Sequence, residues 1–360
     1  MALKTTPLIE LHRRQGARWV DFSGWEMPLH YGSQIEEHHR VRQDAGVFDV
    51  SHMLAIDLEG PAAEGLLARL LSKDVGRLAR SGLALYACLL NERGGIVDDV
   101  IVYRRGPAAF RVVVNAGPAE KDLAWIQRHG AGLPVAIQPR RDLALLAVQG
   151  PNARRRAAAA LPGIGAVLLG LARFQGAEAD GVFVARTGYT GEDGCELMLP
   201  ADRAEETWQA LLEAGIAPCG LGARDSLRLE AGLNLYGQDM DEGVTPFECA
   251  LGWAVDLDGA RDFVGRAALT GAHPRWQRLG LVLQDKGVLR HGQRVQTAAG
   301  EGVVTSGGFA PTLGRSIALA RLPLGVAPDA SVLVAIRDKM ARAKCVQPPF
   351  VREGKPRIAL

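Results

Sequence analysis

Leu54-Ala55-Ile56-Asp57-Leu58-Glu59-Gly60-Pro61 reads as a strand that ends in a glycine turn and hands over to a leucine-rich helix. Further along the chain the order returns, with Leu145-Leu146-Ala147-Val148-Gln149-Gly150-Pro151 preceding an alanine-rich helix. Proline suits the first helical turn, where its missing N–H has no intrahelical partner, and Leu66, Leu67, Leu70 and Leu71 then share one helical stripe. Strand, Gly-Pro, helix, met twice, predicts two related α+β domains.

Two further helices fit this frame. Asn115-Ala116-Gly117-Pro118 opens one, with Leu123 and Ile126 on its buried side and Gly130 as its stop. Residues 202–215 form the other: Asp202 and Glu205 have capping-box spacing, Trp208, Leu211 and Leu212 make an apolar face, and Gly215 ends it. Beyond residue 275 the texture changes to short apolar runs at 279–283, 302–306, 316–320, 331–336 and 344–351, punctuated by glycine and proline. That spacing predicts a separate C-terminal β-barrel or sandwich.

The 360 residues are 48% hydrophobic and carry a formal charge of only +2, which suits a globular protein of two or three domains and argues against a nucleic-acid partner. Arg154-Arg155-Arg156, the densest basic run, sits in an alanine-rich stretch and reads as the wet face of a helix. No apolar run is long enough to span a bilayer, and the first residues lack the basic and apolar regions of a signal peptide, so a cytoplasmic protein with no membrane contact is expected. The five cysteines are scattered without a C-x-x-C pair, and His38-His39 and His52 lack partners at ligand spacing. Neither a disulfide framework nor a bound metal is expected.

Three segments could carry chemistry. Residues 83–90 and 96–103 read as a hairpin whose second strand contains Asp98-Asp99; alternation puts Val97, Asp99, Ile101 and Tyr103 on one face and Ile96, Asp98, Val100 and Val102 on the other. A carboxylate among valines and isoleucines needs a partner, whether structural or functional. Arg186-Thr187-Gly188-Tyr189-Thr190-Gly191-Glu192-Asp193-Gly194-Cys195-Glu196 is a glycine-bent polar loop holding an aromatic ring and several carboxylates. It reads either as a surface hairpin, with Asp193-Gly194 as its tight turn, or as a grip for a flat polar ligand. Gly220-Leu221-Gly222-Ala223-Arg224 begins a further helix but lacks the third glycine of a dinucleotide fingerprint and the lysine of a P-loop. Arg224 in its first turn could pair with a helical acid or face a planar carboxylate or amide ligand.

Taken in order, these segments resemble the T-protein (aminomethyltransferase) family of the glycine cleavage system over nearly the whole chain. The resemblance runs through Val20-Asp21-Phe22-Ser23-Gly24-Trp25-Glu26-Met27-Pro28-Leu29, Phe48-Asp49-Val50-Ser51-His52-Met53, Gly94-Gly95-Ile96-Val97-Asp98-Asp99 and the 187–196 loop. It continues in residues 220–232, Leu235-Tyr236-Gly237-Gln238-Asp239-Met240-Asp241 and Thr305-Ser306-Gly307-Gly308-Phe309-Ala310-Pro311-Thr312-Leu313-Gly314.

The resemblance implies an α+β, three-domain ring around a central folate site. Residues 1–50 and 140–275 would form a discontinuous first α+β domain, 51–139 an inserted second one, and 276–360 a C-terminal β domain. It further implies transfer of the one-carbon unit of aminomethyl-lipoyl H-protein to tetrahydrofolate, with release of ammonia, giving methylenetetrahydrofolate and dihydrolipoyl H-protein. Tetrahydrofolate is then a substrate, lipoylated H-protein the partner, and no metal is needed. Asp99, the second acid of its pair, would orient and activate the folate nitrogen; Glu196 would accept paired hydrogen bonds from the pterin; Tyr189 would line the ring; Arg224 would hold ligand or a neighbouring acid. Met53, Tyr86, Tyr103 and Asn115 match other pocket positions, and Arg290 would lie near the opening. The chain departs from some relatives after Pro349-Phe350, where no tyrosine follows.

Three neighbouring readings are weighed against this one. The non-catalytic folate-binding branch that supports iron-sulfur protein maturation has a cysteine where this chain has Asp262. The folate domains of dimethylglycine and sarcosine oxidoreductases are fused to a flavin-binding Rossmann domain, whose Gly-x-Gly-x-x-Gly is missing here. A folate-dependent demethylase of a small methylated substrate would share the folate pocket and differ in its second substrate.

Overall fold

The structure is a computed structural model that describes residues 2–359. Its first sequence expectation takes a specific topological form. Strand Leu54–Glu59 leads through helix Ala63–Leu70 into a three-strand meander, Ala84–Leu90, Ile96–Gly106 and Ala109–Val114, whose last strand pairs antiparallel with Leu54–Glu59. Strand Leu143–Gln149 leads through helices Ala153–Ala160 and Pro162–Gly170 into Gly176–Ala179, Val182–Ala185 and Gly194–Pro200, and again the last strand pairs with the first. Each unit buries its own apolar core between sheet and helices: Leu66, Leu67 and Leu70 against Val100, Val102 and Val112 in one, Ala153, Ala157 and Trp208 against Leu146, Val148 and Leu197 in the other.

The Gly-Pro steps show why the echo exists. Gly60 and Gly150 have φ of +135° and +130°, and a Cβ on either would stand 2.5 Å from Pro134 O or 2.4 Å from Asp44 O. Both positions require glycine. Ala63 N–H donates to Gly60 O and Ala153 N–H to Gly150 O, so each proline occupies the second position of a tight turn, where its fixed φ fits. The prolines therefore precede the helices instead of occupying their first turn. Pro118 is itself the N-cap residue of Ala119–Gly130.

The C-terminal region is a closed barrel of six strands in the order Trp276–Leu283, Arg315–Pro323, Gly300–Ala310, Arg294–Thr297, Ser331–Ile336, Lys339–Val346, the last pairing back to the first. Short, polar Arg294–Thr297 escaped the sequence reading because it exposes every residue but Val295 and half of Thr297. The expected strand 344–351 is two pieces, Lys339–Val346 and Val351–Arg352, because Pro348 and Pro349 supply no N–H to a ladder.

Local expectations needed three corrections. Asp202 makes no cap: it lies in a 3-10 turn, Ala201–Arg203, and helix Ala204–Glu213 starts without a side-chain capping bond. Only Arg155 of the arginine run is solvent-facing; Arg154 donates to the carbonyls of Leu168, Leu169 and Leu171, and Arg156 grips Asp44. The hairpin register shifts between Leu89 and Leu90, leaving Val97 without a partner of its own. That bulge turns Val97 into the core with Val100 and Val102, and sends Ile96 to a separate cluster with Cys88 and Leu90.

Candidate active site

Both α+β units and the barrel contribute to a cavity of about 600 Å³. Met53, Tyr86, Asp99, Tyr103, Asn115, Tyr189, Glu196 and Arg224 all line it. Arg290 does not: Leu289 fills a buried barrel position and the next residue turns out to solvent, its N–H bonded to Gln293 Oε1.

Strand alternation, regular from Asp98 onward, gives the two acids of the hairpin different jobs. Asp99 reaches the cavity, where its Oδ2 accepts from the Tyr86 hydroxyl and its Oδ1 from Asn115 Nδ2, both at 2.8 Å. Asp98 is fully buried behind it and accepts from Asn115 N–H at 3.0 Å and from the same Nδ2 at 2.8 Å. Asn115 thus bridges the pair from the end of Ala109–Val114. Burial, and then the charge of Asp98, push the Asp99 carboxyl up to about 7, against the pull of its two donors. A carboxyl poised there can both accept and return a proton near neutral pH. The Tyr86 ring, stacked on Trp253 at 5.1 Å, fixes the angle of the hydroxyl that Asp99 receives.

A second polar edge comes from the glycine-bent loop. Residues 186–193 are held at the neck by Arg186, which clamps both oxygens of Asp193, and by Asp193 O, which accepts from Gly150 N–H. The sequence expectation of a tight Asp193-Gly194 turn is corrected accordingly; Gly194 is already the first residue of its strand. Gln149, the last residue of the second echo strand, ties the loop from below by donating to Thr187 O and accepting from the Thr190 hydroxyl. A Cβ on Gly188 would collide with that glutamine side chain at 2.0 Å. Glu196, on the strand leaving the loop, accepts from Thr187 Oγ1 at 2.5 Å, and the same threonine oxygen shares a 3.0 Å hydrogen bond with Tyr103 Oη.

Arg224 completes this edge. Its guanidinium lies 4.8 Å from the centroid of Tyr189, whose hydroxyl donates to Asn234 O. Burial lowers the Arg224 pKa, opposed by Glu196 and Tyr189, and among the described residues Nη1 is buried with no hydrogen-bond partner. A buried charged donor without an acceptor is costly. An acceptor atom of a ligand, beside a carboxylate that still has acceptor capacity, would meet that need and fit a planar group with donors and acceptors on one edge.

Several lining residues were not singled out from sequence. His52 was considered only as a metal ligand; its ring packs edge-on to Phe22 at 5.5 Å, its Nδ1 has no partner among the described residues, and burial, then Arg224, lower its pKa to about 4. It is a neutral donor-acceptor at physiological pH. Arg278 reaches in from the first barrel strand, donating to Gly232 O and to Asn234 Oδ1. Nothing in an alternating strand marks such an arginine beforehand. Among the described residues no cluster of three or more His, Cys, Asp or Glu could hold a metal ion, and no helix is long and apolar enough to cross a membrane.

Comparison with known proteins gives this cavity its context. A family model described as the GCVT N-terminal domain matches residues 8–259, and one described as the glycine cleavage T-protein C-terminal barrel domain matches residues 277–352. The chain belongs to the glycine cleavage T-protein family. Family members named aminomethyltransferase include those of Nitrosomonas eutropha, 54% identical over 99% of this chain and 100% of that protein, and of Bordetella parapertussis, 57% identical over 98% of each. The crystal structure of the glycine cleavage system aminomethyltransferase T from Bartonella henselae superposes with a TM-score of 0.92 at 39% identity, covering 98% of this chain and 99% of the other. The multidomain α+β architecture ending in a barrel is thus that of the family.

Proposed function

We propose that this protein transfers the one-carbon unit of aminomethyl-lipoyl H-protein to tetrahydrofolate, releasing ammonia and giving methylenetetrahydrofolate and dihydrolipoyl H-protein. The observation that carries this reading is the pairing, in one cavity, of a carboxyl poised near neutrality with a separate carboxylate and arginine edge. The first suits proton control at a folate nitrogen and the second suits the pterin.

Glu196 takes the amino and ring N–H groups of the pterin, and Arg224 Nη1 takes an acceptor on the same ring system, each charge-assisted bond contributing on the order of 1.5 to 3 kcal/mol. Tyr189 and Met53 bound the flat faces. Asp99, with Tyr86 and Asn115 fixing its two oxygens, receives the proton that the folate nitrogen loses as it takes the carbon, and can return one to the departing amine. No covalent protein nucleophile is involved; positioning two substrates in a shielded cavity supplies the main acceleration.

The test is ammonia and methylenetetrahydrofolate formation from aminomethylated H-protein, with and without tetrahydrofolate. Folate-dependent appearance of both products is expected. Folate binding without turnover of H-protein, or turnover of a small methylated compound in its place, would overturn the assignment.

A further inference from the structure

Beneath the cavity, helix Ala119–Gly130 buries a third acid. Asp122 is fully buried one turn into the helix, and among the described residues neither of its carboxyl oxygens receives an N–H or O–H from a donor group. What they meet is the carboxyl of Asp98. Two carboxylates cannot rest in contact inside a protein unless a proton lies between them. We propose that Asp122 and Asp98 share one proton, and that this pair is a positioning device: it leaves Asp98 as a double acceptor for Asn115, which in turn donates to Asp99 in the cavity.

The surrounding charges leave little other choice. The hairpin supplies Asp98, Asp99 and Tyr86, and residues 236–242 supply Tyr236 and Glu242. The cation acting on Asp122 among the described residues is Lys121, and its ammonium is already spent on Val97 O, the Tyr236 hydroxyl and Glu242. Three ionised aspartates beside a lysine already paired elsewhere would be strongly unfavourable. Burial first, then Asp98, push Asp122 up to about 10, which agrees with a proton retained through the physiological range. If Asp98 had to carry that proton alone, one of its oxygens would turn from acceptor to donor, and its double hold on the Asn115 backbone and side-chain N–H groups would be lost.

Asp122 would thus act on turnover through two residues without touching substrate, a role that rests on the folate-dependent reading above. The shared proton can be observed on the protein alone, by NMR of protein labelled with 13C at the aspartate carboxyl carbons. The wild type is expected to show one protonated carboxyl that persists well above neutral pH, absent from Asp122→Asn. No such resonance in the wild type would overturn the proposal.

The kinetic arm compares Asp122→Ala with Asp122→Asn in the folate-dependent reaction. Asp122→Ala is expected to lower kcat about tenfold or more through the lost bond to a buried charge, with KM for folate little changed. Its acid limb of kcat/KM should move by about half a unit or more, because the protonation of Asp98 has changed. Asp122→Asn, whose amide can donate to Asp98 as the protonated acid does, should rescue most of the loss. An unmoved limb in Asp122→Ala, or an Asp122→Asn as impaired as the alanine variant, would overturn the positioning role. A protein that shows the resonance yet transfers no one-carbon unit would keep the shared proton and lose the reaction.

Discussion

Asp98 and Asp99 are adjacent in sequence, yet one is buried and the other faces the cavity, and one asparagine holds both. The two cavity edges make separable predictions. Glu196→Ala should weaken tetrahydrofolate binding about tenfold or more while leaving Asp99 intact, since it removes charge-assisted bonds to the pterin; titration of folate fluorescence quenching reads the change, and equal affinity would refute the role. The proposed acid-base role of Asp99 predicts the pH behaviour. Its folded pKa is raised to about 7, so kcat/KM should climb with pH through about 7 as the carboxylate forms. The sign for stability is opposite: the unfolded chain releases this proton near pH 4 and the folded one only near 7, so the contribution is complete below about 4 and lost as pH rises through about 7. Asp99→Asn should therefore gain thermal stability relative to the wild type over that interval, as denaturation at stepped pH would show.

At the scale of elements, the Gly-Pro echo was legible because its glycines answer to backbone geometry, which leaves a strict residue requirement. Gly60→Ala, with a positive φ and a carbonyl 2.5 Å from the new methyl, should cost about 2 kcal/mol or more. Gly65→Ala, exposed in the following helix with nothing near its Cβ, should instead stabilise by about 0.5 to 1 kcal/mol. Chemical denaturation of the two variants tests both, and equal effects would undermine this reading of the motif. The strand faces of the Asp99 hairpin were only half legible: alternation located Asp99, Ile101 and Tyr103, but nothing local announced the bulge that reverses Val97 and Ile96. His52, Asn234 and Arg278 escaped for a different reason, since they reach the cavity from three separate segments of chain that only the assembled fold brings together.

For the whole molecule, the join between barrel and α+β units is a buried ionic knot on Glu230. Its carboxylate accepts from Arg42, from His38 and from the backbone and hydroxyl of Thr312 on the barrel, and Arg42 also pairs with Glu192 of the cavity loop. Burial works against ionisation, but His38, Arg42 and Thr312 together hold the Glu230 pKa below its ordinary value. That contribution is present above the unfolded carboxylate pKa and lost as pH falls through the folded one. Glu230→Ala should destabilise by about 3 kcal/mol or more by removing the buried acceptor shared by Arg42, His38 and Thr312, and hydrogen exchange of barrel strand Gly300–Ala310 should accelerate; an unchanged melting temperature would contradict the knot's role. Integrity of that join matters because the cavity exists only where the units meet. The most direct measurement of the central claim is a single-turnover assay of Asp99→Asn with aminomethylated H-protein, run beside folate titration. The account expects folate affinity close to wild type and methylenetetrahydrofolate formation reduced by about a hundredfold or more, in keeping with loss of a positioned acid-base group. Turnover at the wild-type rate would remove Asp99 from the mechanism and contradict the account.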